Sequence, residues 1–236
     1  MKRRKFIQNA SLSSLGIVAA TSTFACNESK SSSEAVPSET SNSKKYPLVI
    51  ATWNVPEATT KAWETLHNGG TALDAIEKGC NVEEANEKGQ SVGIGGLPDR
   101  DGNVTLDACI MNKEGNYGAV VYLQNIKHPI SVARKVMENT PHVILAGKGA
   151  ESFAYSEGFL KENLLTEASK KAWEEWKITS KYQPIINIEN HDTIGMLSID
   201  KNGDIAGGCT TSGLAYKMAG RVGDSPIIGS GLFIDN

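Results

Sequence analysis

The chain has 236 residues, 39% of them hydrophobic and 22% charged, with a formal net charge of −3. This composition is that of a soluble globular protein with room for an ample core in one or two domains, and it excludes a disordered chain. Past the N-terminal segment no apolar run reaches the roughly 18 residues of a membrane span, and the acidic balance gives no electrostatic reason to bind nucleic acid or anionic lipid.

Residues 1–26 read as an address. Lys2-Arg3-Arg4-Lys5 forms a basic head, and residues 10–25 are a weakly apolar stretch of small side chains. Arg3-Arg4-Lys5-Phe6-Ile7 looks like a twin-arginine signal, which implies export to a bacterial periplasm. Thr23-Phe24-Ala25-Cys26 is a poor match to a lipoprotein cleavage box, so a lipid anchor at Cys26 stays open. The serine-rich residues 27–45 read as a disordered tether. Beyond Cys26, the three cysteines Cys80, Cys109 and Cys209 have no metal-like spacing, and the four histidines form no paired motif. No disulfide is singled out, and no cofactor or zinc site is expected.

The folded part is expected over residues 46–236. Residues 47–52 read as a buried strand ending at Trp53. Residues 57–68 read as a helix that buries Ala58, Ala62 and Leu66 and stops at Gly69-Gly70. Thr71 caps a second helix running through Lys78, with Asp74 completing a capping box. Gly95-Gly96 lies in a glycine-rich turn. It lacks the following Lys-Ser/Thr of a phosphate loop, so close backbone packing is the expected use. Strands are expected over 104–111 and 117–123, a helix over 129–139 facing Val132 and Val136 inward, a short strand over 143–146, and helices over 149–158 and 167–177. Trp173 and Trp176, three apart on the last helix, read as packing residues. Residues 179–190 are polar and irregular. Residues 193–199 alternate as a strand, Asn202-Gly203 is a hairpin signal, and residues 205–208 return antiparallel. Thr193 and Thr211 thereby become neighbours at one end of a hairpin. Mixed helices and antiparallel strands make the fold α+β.

Three runs carry candidate chemistry: His191-Asp192-Thr193-Ile194-Gly195-Met196, Thr210-Thr211-Ser212-Gly213, and Arg221-Val222-Gly223-Asp224-Ser225-Pro226. On its own Thr193 is a β-branched residue suited to a strand. A cut between Asp192 and Thr193 would instead free an α-amine of pKa near ~7.7–8.0, able to act as base for the Thr193 hydroxyl. Arg221 and Asp224, three apart across a glycine, read either as a surface ion pair or as an amino-acid clamp. In the clamp, Arg221 takes an α-carboxylate in two parallel hydrogen bonds and Asp224 an α-ammonium.

The order and spacing of these runs resemble the glycosylasparaginases of the N-terminal-nucleophile (Ntn) hydrolase superfamily. The likeness extends from Pro47 to the end and includes residues 49–53, 69–74, 91–99, Leu106-Asp107-Ala108 and 126–137. The related plant-type asparaginases and isoaspartyl peptidases carry a His-Gly-Gly-Ala-Gly strand end, where this chain has Ala51-Thr52-Trp53-Asn54. The resemblance implies a four-layer αββα sandwich. It makes Thr193 the nucleophile, Thr211 its neighbour, Trp53 a pocket wall, and Arg221 and Asp224 the substrate clamp. It makes Asp192 the base of a self-cleavage, with His191 and Ser91 holding the scissile bond, so that residues 46–192 become an α chain and 193–236 a β chain. The implied activity is hydrolysis of the bond between N-acetylglucosamine and asparagine in the free glycosylated amino acid. Assembly is implied as a dimer of αβ units. In the family the run 231–236 falls mid-domain and oxyanion donors follow it, so a β part shortened at its C-terminal side is expected. Two other readings are a general asparaginase or β-aspartyl peptidase of the same fold, and a non-catalytic amino-acid-binding fragment.

Overall fold

Three five-residue turns of one design shape the sheet and its approaches: Asp99–Asn103, Asn112–Asn116 and Asp200–Asp204. In each, the N–H of the first residue donates to the carbonyl of the fifth, at 2.9–3.0 Å, and the fourth residue is a glycine whose N–H donates back to the first carbonyl. The side chain of the first residue accepts from the N–H groups of the third and fifth. The glycines Gly102, Gly115 and Gly203 sit at φ +90°, +81° and +87°, where other side chains are strained. The expected Asn202-Gly203 signal is thus used as a three-residue loop closed by the Asp200–Asp204 pair.

The computed structural model describes residues 46–179 and 193–236. The expected export signal over 1–26 with Cys26, the expected tether over 27–45, nearly all of the expected irregular segment over 179–190, and the expected processing residues His191 and Asp192 lie outside the described residues. Among the described residues, six strands form one sheet in the order β1-β5-β6-β2-β3-β4. They are β1 (Leu48–Ala51), β2 (Leu106–Met111), β3 (Tyr117–Leu123), β4 (Ile144–Ala146), β5 (Ile194–Ile199) and β6 (Ile205–Thr211). All neighbours pair antiparallel except β3 with β4, which are parallel. Among the described residues, five helices accompany them: α1 (Pro56–His67), α2 (Ala72–Glu84), α3 (Pro129–Asn139), α4 (Gly147–Ser156) and α5 (Glu167–Thr179). The α+β class follows directly.

Helices α1 to α4 cover one face of the sheet. Ala58 and Ala62 of α1, Ile76 and Cys80 of α2, Val132 and Val136 of α3, and Ala150 and Ala154 of α4 share a core with Ala108, Ile110, Val120, Met196 and Ala206 from alternate strand positions. Fully burying a side chain the size of Ile76 or Val136 contributes about 1.5–3 kcal/mol, so this layer carries most of the apolar stabilisation. The capping box at the start of α2 is complete. The Thr71 side chain accepts from the Asp74 N–H, and Asp74 accepts from the Thr71 N–H. Helix α5 is placed apart, by the Trp173 indole N–H donating to the Arg100 carbonyl at 3.1 Å and by Trp176 stacking on Tyr216 at 4.6 Å between ring centroids.

The other face is covered unevenly. Around β2, β3 and β6 a smaller core of Cys109, Met111, Tyr117, Ala119 and Cys209 is closed by Leu232 and Ile234. Around β1 and β5 it is open: Ile50 lies opposite Leu197 in the register, and the two are 52% and 37% exposed. The expectation of a buried first strand is therefore corrected. Strand β1 is an edge strand, with Val49 and Ala51 packed against the helix-side core and Leu48 and Ile50 exposed.

Candidate active site

The ends of three neighbouring strands align Thr193, Thr211 and Asp107. Ile194 pairs with Thr210, which sets Thr193 opposite Thr211 one step further, and Thr211 pairs with Asp107 on its other side. Directly opposed residues share a face of the sheet. These three fall at the positions of Cys109 and Cys209, on the side away from helices α1 to α4.

Thr193 is held from two sides, by Ser225 and by Thr52. Its hydroxyl oxygen lies 3.0 Å from that of Ser225. The Thr52 hydroxyl accepts from the Gly195 N–H at 3.0 Å and reaches the Thr193 carbonyl at 3.4 Å. The Thr52 N–H donates to the Gly195 carbonyl at 2.9 Å, extending the β1–β5 pairing to the edge of the site. Trp53 follows immediately and stands 43% exposed at this end of β1.

Thr211 is buried, and its hydroxyl accepts from the Gly213 N–H at 2.8 Å. The next residue, Ser212, donates from both its N–H (2.8 Å) and its hydroxyl (2.9 Å) to the carbonyl of Ser91. Ser91 therefore reaches the end of β6, and its carbonyl makes these contacts. The Gly95-Gly96 turn beside it is close-packed as expected. A Cβ at Gly96 would stand 2.6 Å from the Cβ of Ser212.

Arg221 and Asp224 occupy the following loop, Arg221 partly buried and Asp224 exposed. The loop is fixed to the sheet just past Asp224. The Cys109 thiol donates to the Ser225 carbonyl at 3.1 Å, the Tyr117 hydroxyl donates to the Pro226 carbonyl, and the Cys209 thiol donates to the Gly231 carbonyl at 3.5 Å. Cys109 and Cys209 are opposed in the β2–β6 register, and Cys80, Cys109 and Cys209 are free thiols. Ser225 is the contact that sequence reasoning missed; it lay in a quoted run without a role. Thr52 was missed likewise. Its only signal was its place before Trp53.

Glu84 and Lys217, both buried, support this end of the sheet. On the helix side Glu84, fully buried, accepts from the Thr210 hydroxyl (2.7 Å) and the Ile130 N–H (3.1 Å), and its second oxygen lies 3.2 Å from His128 Nδ1. Burial pushes the Glu84 carboxyl above its ordinary range, against the pull of His128, Thr210 and Ile130. Near the end of β6, Lys217 is 2% exposed, with its ammonium donating to the carbonyls of Ser212 (2.8 Å) and Thr105 (3.4 Å). Burial holds its pKa below the usual lysine range. Among the described residues no group of three His, Cys, Asp or Glu side chains is placed to hold a metal ion.

Comparison with known proteins adds to this geometry. The Asparaginase_2 family model, described as asparaginase, matches residues 34–236. The chain is 56% identical to the N(4)-(β-N-acetylglucosaminyl)-L-asparaginase of Elizabethkingia miricola, over 99% of this chain and 67% of that one. It is 42% identical to the rat protein of the same name, over 82% of this chain and 65% of the relative. A protein of Drosophila melanogaster named putative N(4)-(β-N-acetylglucosaminyl)-L-asparaginase is 35% identical, with 88% and 63% covered. The chain thus spans about two thirds, or slightly less, of the length of these curated relatives.

Proposed function

The chain belongs to the Asparaginase_2 family, and from this we propose that it is the precursor of a self-cleaving amidohydrolase acting on N-acetylglucosaminyl-asparagine. The observation that carries the reading is the seating of Thr193. It lies opposite Thr211 at the end of two central strands, with its hydroxyl 3.0 Å from Ser225, the residue after Asp224. The names of the Elizabethkingia and rat relatives support the substrate.

In the proposed processing step the Thr193 hydroxyl attacks the Asp192 carbonyl. The Asp192 carboxylate takes the proton, and His191 and Ser91 hold the bond. The acyl group moves from nitrogen to oxygen, and water hydrolyses the ester. The freed α-amine of Thr193 then serves as base for its own hydroxyl. In the hydrolase step that hydroxyl attacks the side-chain amide carbonyl of the substrate, the glycosylamine leaves with a proton, and a β-aspartyl ester remains for water to release as aspartate. Thr211 lies beside the nucleophile, Arg221 and Asp224 grip the α-carboxylate and α-ammonium, and Trp53 walls the pocket.

The finer architecture we propose is the αββα sandwich. The exposed pair Ile50 and Leu197, on the face opposite the helices, supports a second sheet packed there. Residues 1–26 are proposed as an export signal to the periplasm on the strength of Arg3-Arg4 and the stretch after it, with Cys26 as a lipid anchor a further proposal. The functional assembly is proposed as a dimer of αβ units.

The test is the intact mass and N-terminal sequence of protein produced without residues 1–26, followed by turnover on glycosylated asparagine and on asparagine. Two chains, one starting at Thr193, with preference for the glycosylated substrate are expected. Preference for asparagine or a β-aspartyl peptide would move the assignment to a general asparaginase. A single uncut chain that binds aspartate without turnover would leave an amino-acid-binding module.

A further inference from the structure

Asp107 has no role in the chemistry above, yet it completes the row Thr193–Thr211–Asp107 at the strand ends. It is fully buried. One carboxyl oxygen accepts from the Tyr122 N–H at 2.8 Å, and the other has no hydrogen-bond partner. Tyr122 sits at φ +52° where β3 irregularly leaves its register with β2. Two neighbouring buried atoms, Asp99 Oδ2 and Thr105 Oγ1, are equally unpartnered. A buried carboxylate oxygen without a hydrogen bond is costly unless charge compensates it. Two cations converge beside this row: a Cβ on Gly213, whose N–H donates to Thr211, would lie 2.6 Å from Lys217 Nζ and 3.5 Å from Arg221 Nη1. Burial raises the Asp107 pKa, while Lys217, the Tyr122 N–H and Arg221 pull it back. The same two cations repel each other. Lys217 ties the Ser212 and Thr105 carbonyls together. Its own carbonyl accepts from the Arg100 N–H at 2.9 Å. It therefore fastens the loop that starts at Thr211 and leads to Arg221.

We propose that Asp107 and Lys217 are positioning residues: a buried charge pair that sets the Arg221 guanidinium for the substrate α-carboxylate and holds the Ser212–Gly213 backbone under Thr211. The pair touches no substrate. It acts by balancing the charge behind Arg221. With Asp107 neutralised, the buried Asp99 remains as a counter-charge to Lys217 alone, the repulsion between Lys217 and Arg221 is less offset, and Arg221 is driven off its setting. With Lys217 neutralised, Asp107 draws Arg221 inward. Each single loss weakens substrate capture; the joint loss restores the charge balance but not the Lys217 bonds to Ser212 and Thr105. This rests on the clamp role given to Arg221 above.

The test compares Asp107→Asn, Lys217→Met and the double variant with the unaltered protein. KM and kcat are measured for L-asparagine, L-aspartate affinity by calorimetry, and folding by thermal melts. Asp107→Asn keeps an acceptor for the Tyr122 N–H and removes only the charge. Each single variant is expected to raise KM and weaken aspartate binding by about tenfold, with kcat within about threefold. The double variant should have a KM well below the product of the two single effects. Unchanged KM in both folded single variants, or effects that simply multiply in the double, overturns the proposal. So does failure of all three variants to fold, which would make the pair merely structural. If the unaltered protein neither turns over asparagine nor binds aspartate, the clamp reading fails first and this proposal with it. That result is distinct from an active parent with unaffected variants.

Discussion

The hydroxyl oxygens of Thr193 and Ser225 lie 3.0 Å apart across 32 positions of sequence. The contact joins the start of β5 to the loop that begins at Arg221, so the proposed nucleophile and the proposed clamp are set by one tether. Thr193→Ala is expected to abolish both the cut before position 193 and all turnover, as judged by intact mass and a glycosylasparagine assay. Ser225→Ala removes one hydrogen bond, of about 1 kcal/mol net, and should lower kcat roughly five- to tenfold. Normal turnover in Ser225→Ala would make the contact incidental.

Arg221→Lys separates charge from geometry. A lysine keeps the cation and loses the two-pronged grip on a carboxylate. KM for asparagine should rise about tenfold in Arg221→Lys and a further tenfold or so in Arg221→Ala, on the order of 1.4 kcal/mol for each step. A substrate lacking the α-carboxylate should be insensitive to both changes. Equal loss on that substrate would count against the clamp.

The helix-side support at Glu84 has a definite pH signature. Its folded pKa is raised by burial above the ordinary glutamate value of 4.5, so the native state holds this proton to higher pH than the unfolded chain does. The stabilisation is full below the unfolded pKa and is lost as pH rises through the folded one. Glu84→Gln cannot titrate. Its stability relative to the unaltered protein should therefore improve steadily as pH rises from below 4.5 toward neutrality, followed by urea denaturation at each pH. A difference independent of pH would show that Glu84 titrates at its ordinary pKa.

Asp74 gives the opposite sign. Burial raises its pKa, but bonds from Thr71 and Arg134 outweigh this and leave it below the ordinary aspartate value of 3.8. Its contribution is present above that pH and fades as pH falls through the lower folded value. Asp74→Asn should cost about 1 kcal/mol at neutral pH, in line with a weakened helix cap. The gap from the unaltered protein should narrow progressively as pH falls below 3.8.

What the sequence made legible was local. The capping box at Thr71 and Asp74, the inward stripe Ala58, Ala62 and Leu66, and the β5–β6 hairpin each follow from spacing over a few residues, and each was met in the structure. Thr193 opposite Thr211 followed from that hairpin. What escaped were partnerships across long loops. Nothing near Ser225 in the chain announces Thr193, and nothing near Asp107 announces Lys217. Strand β1 was misjudged for a related reason. Its run of apolar residues is the same whether a sheet covers one face of the strand or both, and only the strand order revealed it as an edge.

The double grip of Thr52 on Gly195 and Thr193 has a consequence for a severed chain. New polypeptide ends ordinarily fray, because their first residues lose neighbours on one side. An end created at Thr193 would instead be born already docked, bonded toward β1 at Thr52 and paired toward β6 one residue along at Thr210. Breaking the backbone there would release an amine without releasing the residue that bears it.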